Sequence, residues 1–551
     1  MLTRYKFLTA VCAFAFALLL AFNLYLSLPY YQMQSAVMLN QLSSNQSLNV
    51  HARSYLAKGG DESFLLAGDV GSDKAQLSLL CRELIRRGYG VLIFDMPSEG
   101  MTDGAIPFGY KGDSEFLAHY FYNTYVAYTQ LANISVDKLH VVGFGESARA
   151  ILQTGTLGLL RSQAANSSAS PIDLTLVGTD INLTDRMDFD ILNYREDESV
   201  EWIKKISRDN PGIPVHLICS SWDRVSTYAD NEKLQELLSE PSGVEIEGSE
   251  QQAGAQATLA KLSGLPHGSL MRSAKVAESI IQATVDSSYK APPALYLRTP
   301  AIYASLALFC LLCYFAGKLM YRQLYTAPLP ERKRAPGIIQ AKLFMNLFGL
   351  IVDALIVLAL YAAPIPFPYY SVFYIAAIAG FGAVMLVLYR FTDFANNLGS
   401  SVIIKDTNAN FASFILSLAS IVACVSAMMA SFPDAIGAFW AKPMWAAILI
   451  ALFMPILYVD EKERRLFADE GRLCFLLFIS NFLMLWLSPL LCAAVGLFDA
   501  AFTAFEVIAA TLAALCTEFI CRPLGLSSFS TAFAKAIVLT LLAFSDMALF
   551  Y

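Results

Sequence analysis

The sequence predicts a doubly wound α/β domain fused to an all-α polytopic transmembrane bundle. Three observations lead there. The chain of 551 residues is 56% hydrophobic and 15% charged, with a mean hydropathy of +0.49, too apolar for a protein that lives only in water. Its charge is segregated. Residues 29–296 hold 21 Lys/Arg against 32 Asp/Glu and no bilayer-length apolar run, whereas the remainder holds 18 against 14 and is built of long apolar blocks. Within 29–296, short apolar runs alternate with amphipathic stretches, the pattern of strand-helix repetition.

The first apolar block, about 7–28, follows MLTRYK. It is longer than a usual signal-peptide core and has no convincing small-x-small cleavage site, so it reads as an uncleaved signal anchor. A bilayer core needs about 20 helical residues. Eight later blocks meet that length, near 298–317, 338–362, 369–390, 411–431, 443–459, 473–495, 500–520 and 533–551. The expected domains are therefore 1–28, an anchor; 29–296, an α/β domain; and 297–551, an eight-helix transmembrane domain.

Basic residues give the orientation. With a cytoplasmic N-terminus, the loops GKLMYRQLYTAPLPERKR, Arg390–Lys405, DEKERRLFADEGR and Cys521–Lys535 fall inside, and the outer loops carry little beyond Lys442. The α/β domain is then periplasmic or extracellular, on a multi-pass protein of the plasma (inner) membrane.

Within that domain SFLLAGDV, GYGVLIFDM, KLHVVGF, PIDLTLVGT, IPVHLICSS and GVEIEG read as buried strands. They are near-continuous in Val, Ile and Leu, as strands covered on both faces must be. QLSLLCRELIRRG reads as a helix closed by Gly88. Cys81 and Cys219 are the domain's two cysteines and sit in core-like runs, as buried thiols do. Cys310 and Cys313 form a CxxC inside a span, without partner ligands. No metal-ligand spacing, nucleotide-binding loop or basic patch is present in the sequence, so no cofactor and no nucleic-acid partner is expected.

The stretch LLAGDVGSDKAQLSLLCRELIRRGYGVLIFDMPSEGMTDG resembles the opening of α/β-hydrolases of the lysophospholipase and serine-aminopeptidase-like kind. It keeps Gly71, Gly88, Tyr89, Asp95, Gly100 and Gly104, and departs at Ala67, Ser98 and Glu99. The resemblance covers about residues 60–285 and makes the α/β domain α/β-hydrolase-like; the membrane half resembles no family. IPVHLICSSWDRVS is similar to the strand and turn that carry the family's acid, which places Asp223, and LPHGSL offers His267 in the chain order Ser…Asp…His.

VVGFGESARA, residues 141–150, admits two registers for the nucleophile turn. With Ser147 as nucleophile, its neighbours two residues away are Gly145 and Arg149. Arg149 then stands where the strained strand-to-helix turn needs a small residue. With Gly145 at the apex, Gly143, Ser147 and Ala148 are suitably small, but the turn carries no nucleophile.

In the active register Ser147 attacks an acyl carbonyl, His267 moves the proton and Asp223 orients His267. The backbone N–H of Ala148 and one from the Asp69–Val70 loop would hold the oxyanion. That reading is a membrane-bound serine hydrolase acting on an acyl ester, a lipid or envelope ester being suggested by its place beside membrane lipids. The silent register gives a sensor or binding domain coupled to a transporter-like bundle. The acidic stretch 180–212 sits where such folds insert a lid. In the membrane half, Asp353, Glu506 and Asp546 fall within spans, with Asn481 and Glu518 nearer span ends; intramembrane acids are costly and are candidates for function.

Overall fold

The computed structural model describes residues 2–156 and 171–324, apart from short breaks and the longer stretches 103–113, most of 180–212 and 241–255, and in the C-terminal half chiefly 344–352, 443–466, 476–480 and 511–544. Two compact units emerge, one built chiefly on Tyr25–Thr299, the other on Met1–Leu24 and the segments after Pro300.

The first unit is an eight-stranded sheet: β1 (Gln34–Ser43), β2 (Gln46–Tyr55), β3 (Ser63–Ala67), β4 (Gly90–Phe94), β5 (Leu139–Phe144), β6 (Asp173–Val177), β7 (Pro214–Ser220) and β8 (Gln256–Leu262). Their spatial order is β1-β2-β4-β3-β5-β6-β7-β8. The β1–β2 and β2–β4 pairs are antiparallel and all other neighbours are parallel. With helices between the parallel strands, this mixed sheet gives the unit an α/β-hydrolase-like fold.

Every residue of β3, β4, β5 and β6 is buried, which is why these strands read as continuous apolar runs. The hairpin β1–β2 and the edge strand β8 are not so. QSAVMLNQLS, QSLNVHARSY and QATLAKL mix polar with apolar residues because part of each strand faces water, and no strand is expected there from apolar runs alone. GVEIEG, expected as the last strand, lies outside the described residues. The hairpin is tied down by buried Asn40, whose amide donates to the Tyr120 carbonyl at 2.8 Å and to Thr124 Oγ1 at 3.0 Å.

The connecting helices are α2 (Ser78–Arg86), α3 (Ser114–Ala132), α4 (Glu146–Thr156), α5 (Tyr228–Ser239) and α6 (Ala274–Thr284). Gly88 closes α2 as expected, its N–H reaching the Ile85 carbonyl at 3.0 Å. Asp95 follows β4 and has a structural part. Its carboxylate accepts the Lys74 N–H at 2.8 Å and the buried Lys74 ammonium. Cys81 and Cys219 are buried free thiols.

Among the described residues, two helices are long and apolar enough to cross a membrane, by length and composition: Arg4–Tyr31 within α1 (Leu2–Tyr31) and Arg298–Ala316 within α7 (Arg298–Leu324). In the second unit Asn23 donates to Ser305 Oγ at 3.4 Å and Phe16 meets Phe309 at 5.6 Å, joining these two helices. The helices α8 (Pro443–Leu466) and α9 (Ser528–Phe544) enclose a buried ion network. Lys535 Nζ lies 3.0 Å from Glu461, 3.1 Å from Glu518 and 3.8 Å from Asp460, and Arg464 joins Glu518 and Asp460. The acids here are almost wholly buried, so each cation offsets the desolvation of its partners. Most of the spans expected between 338 and 520, together with Asp353, Glu506, Asp546 and Asn481, lie outside the described residues.

Candidate functional site

Three loops at the C-terminal edge of the sheet build the site. The turn between β5 and α4 is centred on Gly145, whose φ of +52° is the left-handed conformation that glycine adopts without strain. Its N–H donates to the Val177 carbonyl at 2.9 Å. Gly143, two residues earlier, must be small: a Cβ there would lie 2.8 Å from the Ala148 nitrogen. The apex of the strand-helix turn is therefore Gly145.

Ser147 stands in the first turn of α4, fully buried, and its hydroxyl donates to the Gly68 carbonyl. Arg149, also buried, pairs with Glu146 at 2.7 Å. The first register asked for Ser147 at the apex; the fold puts it two residues into the helix, because only Gly143 and Gly145 tolerate the close approach of backbone there.

Asp223 and His267 are brought together as their chain order suggested. Asp223 follows β7, and its Oδ1 accepts N–H groups of Val225 and Ser226, both at 2.9 Å. Its Oδ2 lies 2.8 Å from His267 Nδ1. The other ring nitrogen, Nε2, lies 2.9 Å from Asp69 Oδ2. Both nitrogens of His267 are thus engaged by carboxylates, and Ser147 is bonded elsewhere.

Asp69 is the residue whose part the sequence reading did not anticipate. The sequence suggests only its loop's backbone N–H as a donor, yet its side chain fills the centre of the site. One carboxylate oxygen faces His267; the other accepts the Glu146 N–H at 2.8 Å. A Cβ built on Gly145 would collide with this carboxylate. Ser72 fixes the loop by donating to the Asp69 carbonyl at 2.9 Å. The signal was an acid directly after β3, in a chain whose turn offers glycine at the apex. Ala148, expected as an oxyanion donor, is not the residue that follows the apex; Glu146 is, and its N–H is taken by Asp69. Val70 lies outside the described residues, as does nearly all of 180–212.

Electrostatics follow from this geometry. His267 is buried, which by itself would favour the neutral ring, but the carboxylates of Asp223 and Asp69 outweigh burial and raise its pKa from 6.5 to about 10. The ring is an imidazolium at neutral pH and cannot take a proton from an alcohol. His140 in β5 is a buried core group that stacks on Phe64 and bonds Asp173 at 2.7 Å, and the half-buried His216 in β7 bonds Thr258 at 2.8 Å. Among the described residues no group of three His, Cys, Asp or Glu is placed to hold a metal ion.

No family model and no curated relative matches the chain. Solved structures do. A predicted CIB-like hydrolase from Thermoplasma acidophilum is 12% identical, with 50% of this chain and 99% of that one covered and a TM-score of 0.29. A membrane phospholipase A described as a bacterial virulence factor is 13% identical, with 50% and 92% covered and a TM-score of 0.32. The esterase domain of a Rhodothermus marinus protein is 12% identical, with 46% and 97% covered and a TM-score of 0.29.

Proposed function

We propose that residues 29–296 form a catalytically silent α/β-hydrolase-like domain, a sensor or binding module on the extracytoplasmic side of a multi-pass plasma-membrane protein with a transporter-like bundle. One observation carries this reading: the Asp69 carboxylate occupies the space that a nucleophile on residue 145 would need. It meets His267 Nε2 where a hydroxyl would lie, and it takes the Glu146 N–H that an oxyanion would use. The site is filled from within by a group carrying the negative charge that catalysis would create.

The topology belongs to the same proposal. The two apolar helices and the distribution of basic loops support a membrane protein with its α/β domain outside.

The Asp223–His267 pair favours a second reading, a membrane-bound serine hydrolase of acyl esters with Ser147 as nucleophile. Labelling of the detergent-solubilised full chain with a fluorophosphonate probe separates the two. The silent domain stays unlabelled while folded. Labelling that is lost in both Ser147→Ala and His267→Ala overturns the proposal and establishes the hydrolase.

A further inference from the structure

A second polar cluster lies within the first unit, away from Asp69. Arg298 opens α7, and Ser27 lies near the end of α1. Only 2% of Arg298 is exposed, yet its hydrogen bonds run to two neutral hydroxyls, Ser78 Oγ at 2.8 Å and Ser27 Oγ at 3.4 Å. Its Nε and one terminal nitrogen, Nη1, have no hydrogen-bond partner among the described residues. Arg82 stands one turn beyond Ser78 on α2, on the same helix face. It is 6% exposed, and among the described residues its Nε and Nη1 also lack hydrogen-bond partners. Arg82 and Arg272 are close enough to repel Arg298 electrostatically.

The carboxylate beside Arg82 is Glu83. It lies 3.5 Å from Arg82 Nε, is shared with exposed Arg86 at 3.9 Å, and accepts the Tyr289 hydroxyl at 2.9 Å. The buried arginines therefore keep an excess of positive charge inside a domain that is acidic overall. Leaving a buried guanidinium with open N–H groups is costly, as it is for any unpaired buried charge. An arginine placed only for packing ends on carboxylates or carbonyls; Arg298 ends on hydroxyls, which leave its charge uncompensated.

We infer that Arg298 and Arg82, with the hydroxyls of Ser78 and Ser27, form a binding site for a phosphate group. Two planar guanidinium groups match the oxygens of a tetrahedral phosphate, and such charge-assisted pairs are the strong ones. The site lies at the ends of both apolar helices, the depth at which a phospholipid headgroup presents its phosphate. A free phosphate ion has the same chemistry. This site is independent of the reading given to Asp69.

The test is the melting temperature of the full chain in lipid-free detergent, titrated with inorganic phosphate against chloride at equal ionic strength, with phosphatidylglycerol, and with phosphate-free monogalactosyldiacylglycerol. A ligand that binds only the folded state raises the melting temperature saturably. At least one phosphate-bearing probe is expected to do so, while the galactolipid does not. A response to inorganic phosphate assigns a free anion, and a response confined to phosphatidylglycerol assigns a headgroup. Arg298→Gln should weaken the apparent affinity about ten- to hundredfold, the worth of one or two charge-assisted hydrogen bonds. Should that variant not fold, Ser78→Ala removes the hydroxyl beside both arginines and should weaken binding about tenfold. No saturable shift, the same shift with the galactolipid, or unchanged affinity in these folded variants would overturn the assignment.

Discussion

The Asp69 carboxylate lies 2.9 Å from His267 Nε2, the position from which a catalytic imidazole would address its nucleophile. It comes from the loop after β3, whereas the turn after β5, where a nucleophile would be expected, ends on Gly145. The imidazole is thereby closed between two carboxylates, Asp223 and Asp69, and the chemistry of the site follows from which groups fill it.

Opening the site should restore reactivity. Gly145→Ser alone places a side chain against the Asp69 carboxylate and should destabilise the domain without creating a fluorophosphonate target. The double variant Gly145→Ser with Asp69→Ala removes that collision and frees His267 Nε2 to serve the introduced hydroxyl. Covalent labelling above the wild-type background is expected only in the double variant, read by intact-protein mass spectrometry.

Ser147 should behave as a structural residue. Its hydroxyl ties α4 to the Gly68 carbonyl, so Ser147→Ala should cost about 1 kcal/mol of stability, the usual worth of one buried hydrogen bond. Denaturation of the full chain measures the cost, and a catalytic role would show instead as unchanged stability with lost labelling.

The pH dependence has a definite sign. The folded-state pKa of His267, about 10, is above its ordinary value of 6.5. Its contribution to stability is complete below about pH 6.5 and is lost as pH rises through about 10. Melting temperatures should fall across that window, and His267→Gln should flatten the decline.

In the helical unit, Lys535 holds three buried acids. Lys535→Ala removes the cation these acids share, and breaking such a buried network costs on the order of 3 kcal/mol. The variant in detergent should melt several degrees below wild type. A melting temperature within error of wild type would show that solvent reaches the cluster.

The α5 cap offers a smaller test. Thr227 caps the helix by accepting the Asp230 N–H at 3.2 Å, and Thr227→Ala should lower stability by about 1 kcal/mol. Thr227→Ser, which keeps the acceptor, should recover most of it.

Much of this protein is written locally. The buried strands β3 to β7 announce themselves because both their faces are covered, and the two long apolar helices because their apolar runs reach the length of a bilayer span. Asp223 and His267 were legible because each follows or precedes a recognisable element in a fixed chain order. The β1–β2 hairpin and β8 were not, since edge strands alternate irregularly between water and core.

What occupies the nucleophile's place could not be read from VVGFGESARA, which fits two registers. Only tertiary structure decided it, because the deciding contacts are long-range. Asp69 and His267 are 198 residues apart, and the clearance around Gly143 and Gly145 depends on α4 and the β3 loop packing against them. Composition and periodicity set which elements form; a carboxylate's position to within an ångström is set by the elements that meet around it.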